Sequence, residues 1–247
     1  MIRQELSRQL DHDPNFRWRG EAVTRIENLS DIVFALALGM LVSVSTPPHT
    51  YSELGPHLMS IVPVAACFAV LLVIWNAHFT FFRRYGVADG YIIFLNAVLL
   101  LFVLFIAYPL RFAFDSLFAW ILAAFQGHWE YMTELGISSF RQAGFILAWF
   151  YGGLSFIYFL IHLMYKHALT KADILDLNMS ELAMTRRSIW RYFCEMLICA
   201  LVAAGAALTP LGAFTAAFSI LNWPIAVAIR RRIKLSPESA IKSPARG

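Results

Sequence analysis

Five ionisable or amide side chains fall inside stretches that are otherwise apolar: Asp31, His78, Asn96, Glu195 and Asn222. In hydrocarbon such groups must pair with one another or mark a path for ions or protons. Asp31 is the strongest of them. Glu27 stands four residues before it on the same helical face, where two carboxylates repel. Arg25, six residues away, lies about 240° round the helix and is poorly placed as a partner. Asp31 therefore needs donors from another helix or, more simply, water at the membrane interface. His78 follows Trp75 by three residues and precedes Phe82 by four, and Asn96 lies a turn into the next apolar run. Ser30, Asp31, Trp75, His78 and Asn96 thus share one depth band, which fits an interhelical hydrogen-bond network. A sharper alternative makes Asp31 and His78 the titrating groups of a proton-coupled secondary transporter.

Catalytic readings are weaker. Gly153-Leu154-Ser155 has the outline of an intramembrane serine protease motif, but Phe156 follows where glycine is expected and His162 shares the helix. His78 and His162 as paired haem ligands rest on two lone histidines. No Gly-rich phosphate loop or metal-spaced carboxylate cluster is present, and Cys67, Cys194 and Cys199 read as small buried hydrophobes. Neither an enzyme, a cofactor nor a nucleic-acid partner is implied. Arg230-Arg231-Arg232 has the form of a stop-transfer cluster.

The elements that hold these residues follow from composition. The chain has 247 residues, 59% hydrophobic and only 15% charged, with a mean hydropathy of +0.62. A soluble domain carries about 25% charged residues, so this composition indicates an all-α integral membrane protein. At about 20 apolar residues per crossing, six spans are expected: 24–46, 57–82, 91–114, 140–165, 190–209 and 211–231. Pro210-Leu211-Gly212 divides the last two. Residues 115–129 fit either an extension of span three or an interfacial helix. Together, 1–235 form one membrane domain and 236–247 a polar tail. Of the 20 Lys and Arg residues, 18 fall on one side of these spans, with Arg111 and Arg141 at span ends on the other. That bias predicts both termini in the cytoplasm. The polar, Arg-bearing first twenty residues lack a signal-peptide core, so the first span is expected to be retained. No internal repeat relates the two halves, unlike the usual inverted-repeat transporter.

The first span carries a second pattern. Leu29, Ile32, Leu36, Gly39/Met40 and Ser43 form one stripe, while Asp31, Ala35, Leu38 and Val42 share another face. By pattern alone such a stripe is a packing surface.

Arg25-Ile-Glu-Asn-Leu-Ser-Asp31 resembles the Arg-x-x-x-Phe-Ser-Asp signature opening the first helix of the transmembrane protein 175 family of potassium channels. Trp75-x-x-His78-x-x-x-Phe82-Arg83 and the third-span residues Asp89, Asn96 and Pro109 extend the likeness. The segment 171–178 leading to Arg186-Arg187 is similar in style. The resemblance implies a six-span chain of the bacterial inner membrane, four of which surround a central pore lined by the first helix. It implies passive potassium conduction, with other monovalent cations left open as permeants, and no carbonyl selectivity filter. Carried onto this sequence, the pore residues are Leu36 as hydrophobic gate, then Gly39, Met40 and Ser43. Arg25, Leu29, Ser30, Asp31, Trp75, His78 and Asn96 become the network that fixes the first helix. Three positions depart from the family pattern. Leu29 replaces Phe, Gly39 stands where a hydroxyl residue linked to selectivity is common, and Ser43 replaces a bulky apolar residue.

Overall fold

A computed structural model describes residues 16–20, 23–43, 48–127, 135–137, 139–209, 215 and 227–228. Its helices are α1 (Arg25–Ser43), α2 (Tyr51–Met59), α3 (Ile61–Tyr85), α4 (Gly90–Gln126), α5 (Phe140–Thr170) and α6 (Met179–Leu208), with no strand among the described residues. Five segments are long and apolar enough to cross a membrane: Arg25–Ser43, His57–Tyr85, Gly90–Phe125, Phe140–Thr170 and Met179–Leu208. They correspond to the first five expected spans. The sixth, 211–231, its dividing turn Pro210-Leu211-Gly212, Asn222 and the tail 236–247 lie outside the described residues, apart from isolated positions 215, 227 and 228.

Local chemistry sets the helix ends. α3 stops at Gly86, whose φ of 60° suits glycine and whose N–H donates to the Phe82 carbonyl at 2.8 Å. Three residues on, the Asp89 carboxylate accepts the Ile92 N–H at 3.0 Å and starts α4. Ser139 caps α5 in the same way. α6 opens on a capping box in which Asn178 and Glu181 exchange side-chain and backbone hydrogen bonds.

Two expected boundaries move. α4 runs unbroken through 115–126, so the ambiguous segment extends span three. The charges that marked its expected end lie inside the helix, because Arg111 donates to Asp115 one turn on at 2.8 Å. Arg111 is thus a buried mid-helix residue. α6 begins eleven residues before the expected position 190, because its capping box opens turns that carry Glu181, Arg186 and Arg187 and are too polar to be read as membrane.

α1 packs against α3 and α4, while α5 packs on α4 and pairs along its length with α6. The buried face of α1 is Glu27, Ser30, Phe34, Ala37 and Leu41, a three-four spacing that keeps one side inward. Behind it lie Leu71, Ile74, Phe81, Leu99 and Ile106, and further in Tyr85 and Tyr165.

Candidate functional site

Where α1, α3 and α4 meet, three helices are joined by one hydrogen-bonded chain. The Asn96 amide oxygen can only accept, so His78 donates to it from Nε2, at 2.8 Å. Asn96 Nδ2 donates to Ser30 Oγ at 3.1 Å, and Ser30 Oγ donates to the Ile26 carbonyl at 2.8 Å. All three side chains are buried. Each bond is directional and each polarises the next. The rings of Phe34 and Phe82 flank His78, with centroids at 5.8 and 4.7 Å.

Asp31 takes no part in that chain. Its carboxylate accepts from Trp75 Nε1 at 2.9 Å on the exposed side of the contact. Trp75 stacks on Phe79 at 5.3 Å, and Phe79 also meets Trp18 edge-on and the Arg83 guanidinium at 5.3 Å. The depth band expected from sequence is therefore two assemblies, a buried chain through His78 and a peripheral pair at Asp31. No hydrogen bond joins Asp31 to His78 among the described residues. Arg25 opens α1 exposed and belongs to neither.

The stripe of α1 faces away from the other described residues. Leu29, Ile32 and Leu36 are 55%, 66% and 55% exposed, Gly39 and Ser43 are exposed, and Met40 is half-buried. Space around Gly39 is open, since a Cβ built there would meet nothing within 4 Å. Ser43 Oγ donates to the Met40 carbonyl at 3.1 Å, which turns its hydroxyl onto the helix.

At the Arg-rich end, residues 16–20 lie as a strap across the bundle. Phe16 is buried edge-on against Tyr85, at 5.4 Å, under the Arg84 and Arg19 guanidinium groups. Arg19 forks onto both Glu181 oxygens, at 3.1 and 2.8 Å, and onto the Leu175 and Asp176 carbonyls at 2.6 and 2.8 Å. The Arg19 and Gly20 N–H groups both donate to the Arg83 carbonyl, and Arg83 returns a bond to the Gly20 carbonyl at 2.9 Å. Only glycine fits at position 20, because a Cβ would run into the Phe82 carbonyl.

Close by, Asp89 holds His167 Nε2 at 2.7 Å and Lys171 Nζ at 2.9 Å, tying the start of α4 to the end of α5. Burial raises its carboxyl, but bonds from His167, the Ile92 N–H and Lys171 outweigh that and hold it well below the ordinary carboxylate range. The sequence pattern did not single out Arg19 or the His167–Lys171 contacts, although Asn178-x-x-Glu181 is a legible capping signal.

The remaining candidates have ordinary partners. Glu195 pairs with Arg191 at 2.9 Å, one turn away. His162 Nδ1 donates to the Ile189 carbonyl at 3.1 Å, and Ser155 Oγ to the Met196 carbonyl at 2.9 Å. Ser155 and His162 are thus both spent on holding α5 to α6. Cys67 and Cys199 are buried free thiols, and Cys194 is half-buried.

The family model for the endosomal/lysosomal potassium channel TMEM175 matches residues 25–107, the stretch holding α1 to α3, the buried chain and the first half of α4. A potassium channel from Marivirga tractuosa is 38% identical over 192 residues, covering 76% of this chain and 74% of that one. Among solved structures, a variant of the potassium channel MtTMEM175 in complex with a nanobody–MBP fusion superposes with a TM-score of 0.80. It is 31% identical, over 89% of this chain and 97% of the other. A lysosomal potassium-selective channel TMEM175 homolog from Chamaesiphon minutus shares the fold at a TM-score of 0.52, with 23% identity over 83% and 97% of the two chains. The signature at 25–31, the three-helix contact it seeds and the extent of these matches agree: the chain belongs to the TMEM175 family.

Proposed function

We propose that the chain is a potassium channel of the bacterial inner membrane, in which four six-span copies place α1 around a central pore and both termini in the cytoplasm. The observation that carries this reading is the two-sidedness of α1. One face is fixed to its own bundle by Phe34, Ala37, Leu41 and the Ser30–Asn96–His78 chain. The opposite face presents an apolar stripe that nothing in the described protomer covers. A ring of four Leu36 side chains is a constriction that opens and closes by wetting. Met40 and the gap at Gly39 follow one turn on, then Ser43. Conduction is passive and uses no carbonyl filter, because discrimination in such a pore rests on its width and on dehydration of the ion. The buried chain and the Asp31–Trp75 pair hold α1 at the azimuth that keeps Leu36 facing the axis.

The test is the reversal potential of purified protein in planar bilayers, with potassium on one side and sodium on the other. A potential shifted toward the potassium equilibrium value is the expected result. Leu36→Ala is expected to raise conductance at equal protein. No current from protein shown to be tetrameric, together with flux coupled to pH, would replace this reading with proton-coupled transport through Asp31 and His78.

A further inference from the structure

α3 and α6 meet at the Arg-rich end of the bundle, where the Tyr85 and Thr185 hydroxyls lie 2.7 Å apart. Beyond that contact α5 lies behind both, and between them opens a cleft of about 550 Å³. Its charged groups are engaged within the protein: Arg84 reaches Ser188 Oγ at 3.4 Å and lies over the Phe16 ring, and Arg191 holds Glu195 at 2.9 Å. The uncharged polar groups are not. Asn76 and Thr80 of α3, Tyr158 of α5 and Tyr192 of α6 line the cleft, and none makes a side-chain hydrogen bond with another described residue. Tyr192 is only 7% exposed, its ring packed on those of Tyr158 and Tyr165 at 6.3 and 5.2 Å, yet its hydroxyl is left without a partner there. Further along α3 the wall becomes apolar at Leu72 and Val73, which are 43% and 54% exposed. Counted from Tyr85 at the end of α3, Thr80 lies roughly 8 Å and Leu72 roughly 20 Å along the axis.

We propose that this cleft binds one diacyl glycerolipid by its ester linkages, with the ester carbonyls among the hydroxyl and amide groups and one acyl chain along Leu72 and Val73. Each of the four polar side chains can donate, and at membrane depth a donor without a partner is costly. An ester carbonyl can only accept, lies just beneath the headgroup and continues directly into an aliphatic chain. The wall of the cleft runs in the same order, with donors nearer the end of α3 and aliphatic side chains beyond them. Water would meet the donors but cannot continue along the apolar wall. Because the recognised atoms are those of the ester region, headgroup charge plays no part. The inference requires membrane insertion and not conduction, so a lipid-retaining but electrically silent protein would sustain it while defeating the channel reading.

Full-length protein is reconstituted in an equal mixture of diester and diether phosphatidylcholine with matched chains, re-extracted, and its retained lipids counted by native mass spectrometry. The diether lipid lacks the carbonyls, so the diester form should be retained about five-fold over it, the effect of one hydrogen bond. The same preference is expected when both lipids carry a phosphatidylglycerol headgroup. Thr80→Val with Tyr158→Phe removes two hydroxyls with little change of shape and should bring the preference close to one at unchanged thermal stability. Tyr192→Phe, which leaves the packed ring in place, should lower it in part. Equal retention of diester and diether lipid by the unaltered protein would overturn the proposal and leave the cleft to water. A preference that appears with only one headgroup would overturn it in favour of headgroup recognition. Lowered thermal stability or loss of oligomer in the double variant, with no change in bound lipid, would mean that protein and not lipid covers the cleft.

Discussion

The two faces of α1 differ in everything but length. On the inward face, Glu27, Ser30, Phe34, Ala37 and Leu41 are all buried, and the polar member nearest the middle is bonded on both sides. On the outward face, Leu29, Ile32 and Leu36 are each more than half exposed and Gly39 borders open space. An inward residue answers to its neighbours in the same chain, so changing it alters stability first. An outward residue answers to what lies outside the protomer, so changing it alters function first. The contrast also explains why a hydrophobic pattern alone does not identify a pore helix, since both faces are apolar and only their surroundings separate them.

Substitutions on α1 and its supports can break or sharpen that contrast. The largest loss is expected at Phe34. Hydrocarbon solvent cancels most of the transfer part of a large-to-small change, which leaves a cavity cost of roughly 2–3 kcal/mol for Phe34→Ala. Thermal unfolding in detergent reads this directly, and a wild-type midpoint would mean that the inward face is not tightly packed. Asn96→Leu keeps volume but strands the His78 N–H and leaves Ser30 only its bond to the Ile26 carbonyl, at about 1–2 kcal/mol. His78→Phe in that background should then cost much less than it does alone, which a double-mutant cycle measures.

Asp89→Ala is expected to remove the α4 cap and its ties to α5, about 1 kcal/mol at neutral pH. With a carboxyl held below its ordinary range in the fold, this stabilisation is complete above the unfolded value of about 4 and is lost as pH falls through the lower folded value. Unfolding midpoints of variant and wild type should therefore converge only in strong acid. The smallest stability change, within about 0.5 kcal/mol, is expected for Leu36→Ala, even though its effect on current should be the largest of the four. A strongly destabilised Leu36→Ala would place that residue in a packed interface and blur the distinction between the faces.

Much of this arrangement is legible in the sequence because polar residues are conspicuous in hydrocarbon. Ser30, Asp31, Trp75, His78 and Asn96 can be placed at one depth by counting along spans, since rise per residue is fixed. Their division into a buried chain and a separate Asp31–Trp75 pair is not legible, because it depends on the azimuth of each helix against its neighbours. Helix ends written in capping residues, such as Asp89 and Asn178, are readable, whereas the polar first turns of α6 are hidden from any criterion based on hydropathy. The Arg111–Asp115 pair misleads for a related reason, since each charge argues against a span until its partner one turn away is counted. Arg19 offers no local pattern at all. Its partner is 162 residues distant, and nothing in the spacing of either residue announces the other.

That separation bears on the order in which the protein is made. Residues 16–20 leave the ribosome just ahead of α1, yet Glu181 and the Leu175 and Asp176 carbonyls that receive Arg19 do not exist until four membrane-long helical segments have been synthesised. At ordinary translation speeds the interval is roughly 10–30 s. Throughout it, the segment leading into α1 has only the Phe82–Gly86 turn to lean on, and the start of α6 supplies the last half of its anchorage. α1 is thus made long before its entrance is secured, and nascent chains stalled between α5 and α6 would carry an α1 whose leading end is still loose.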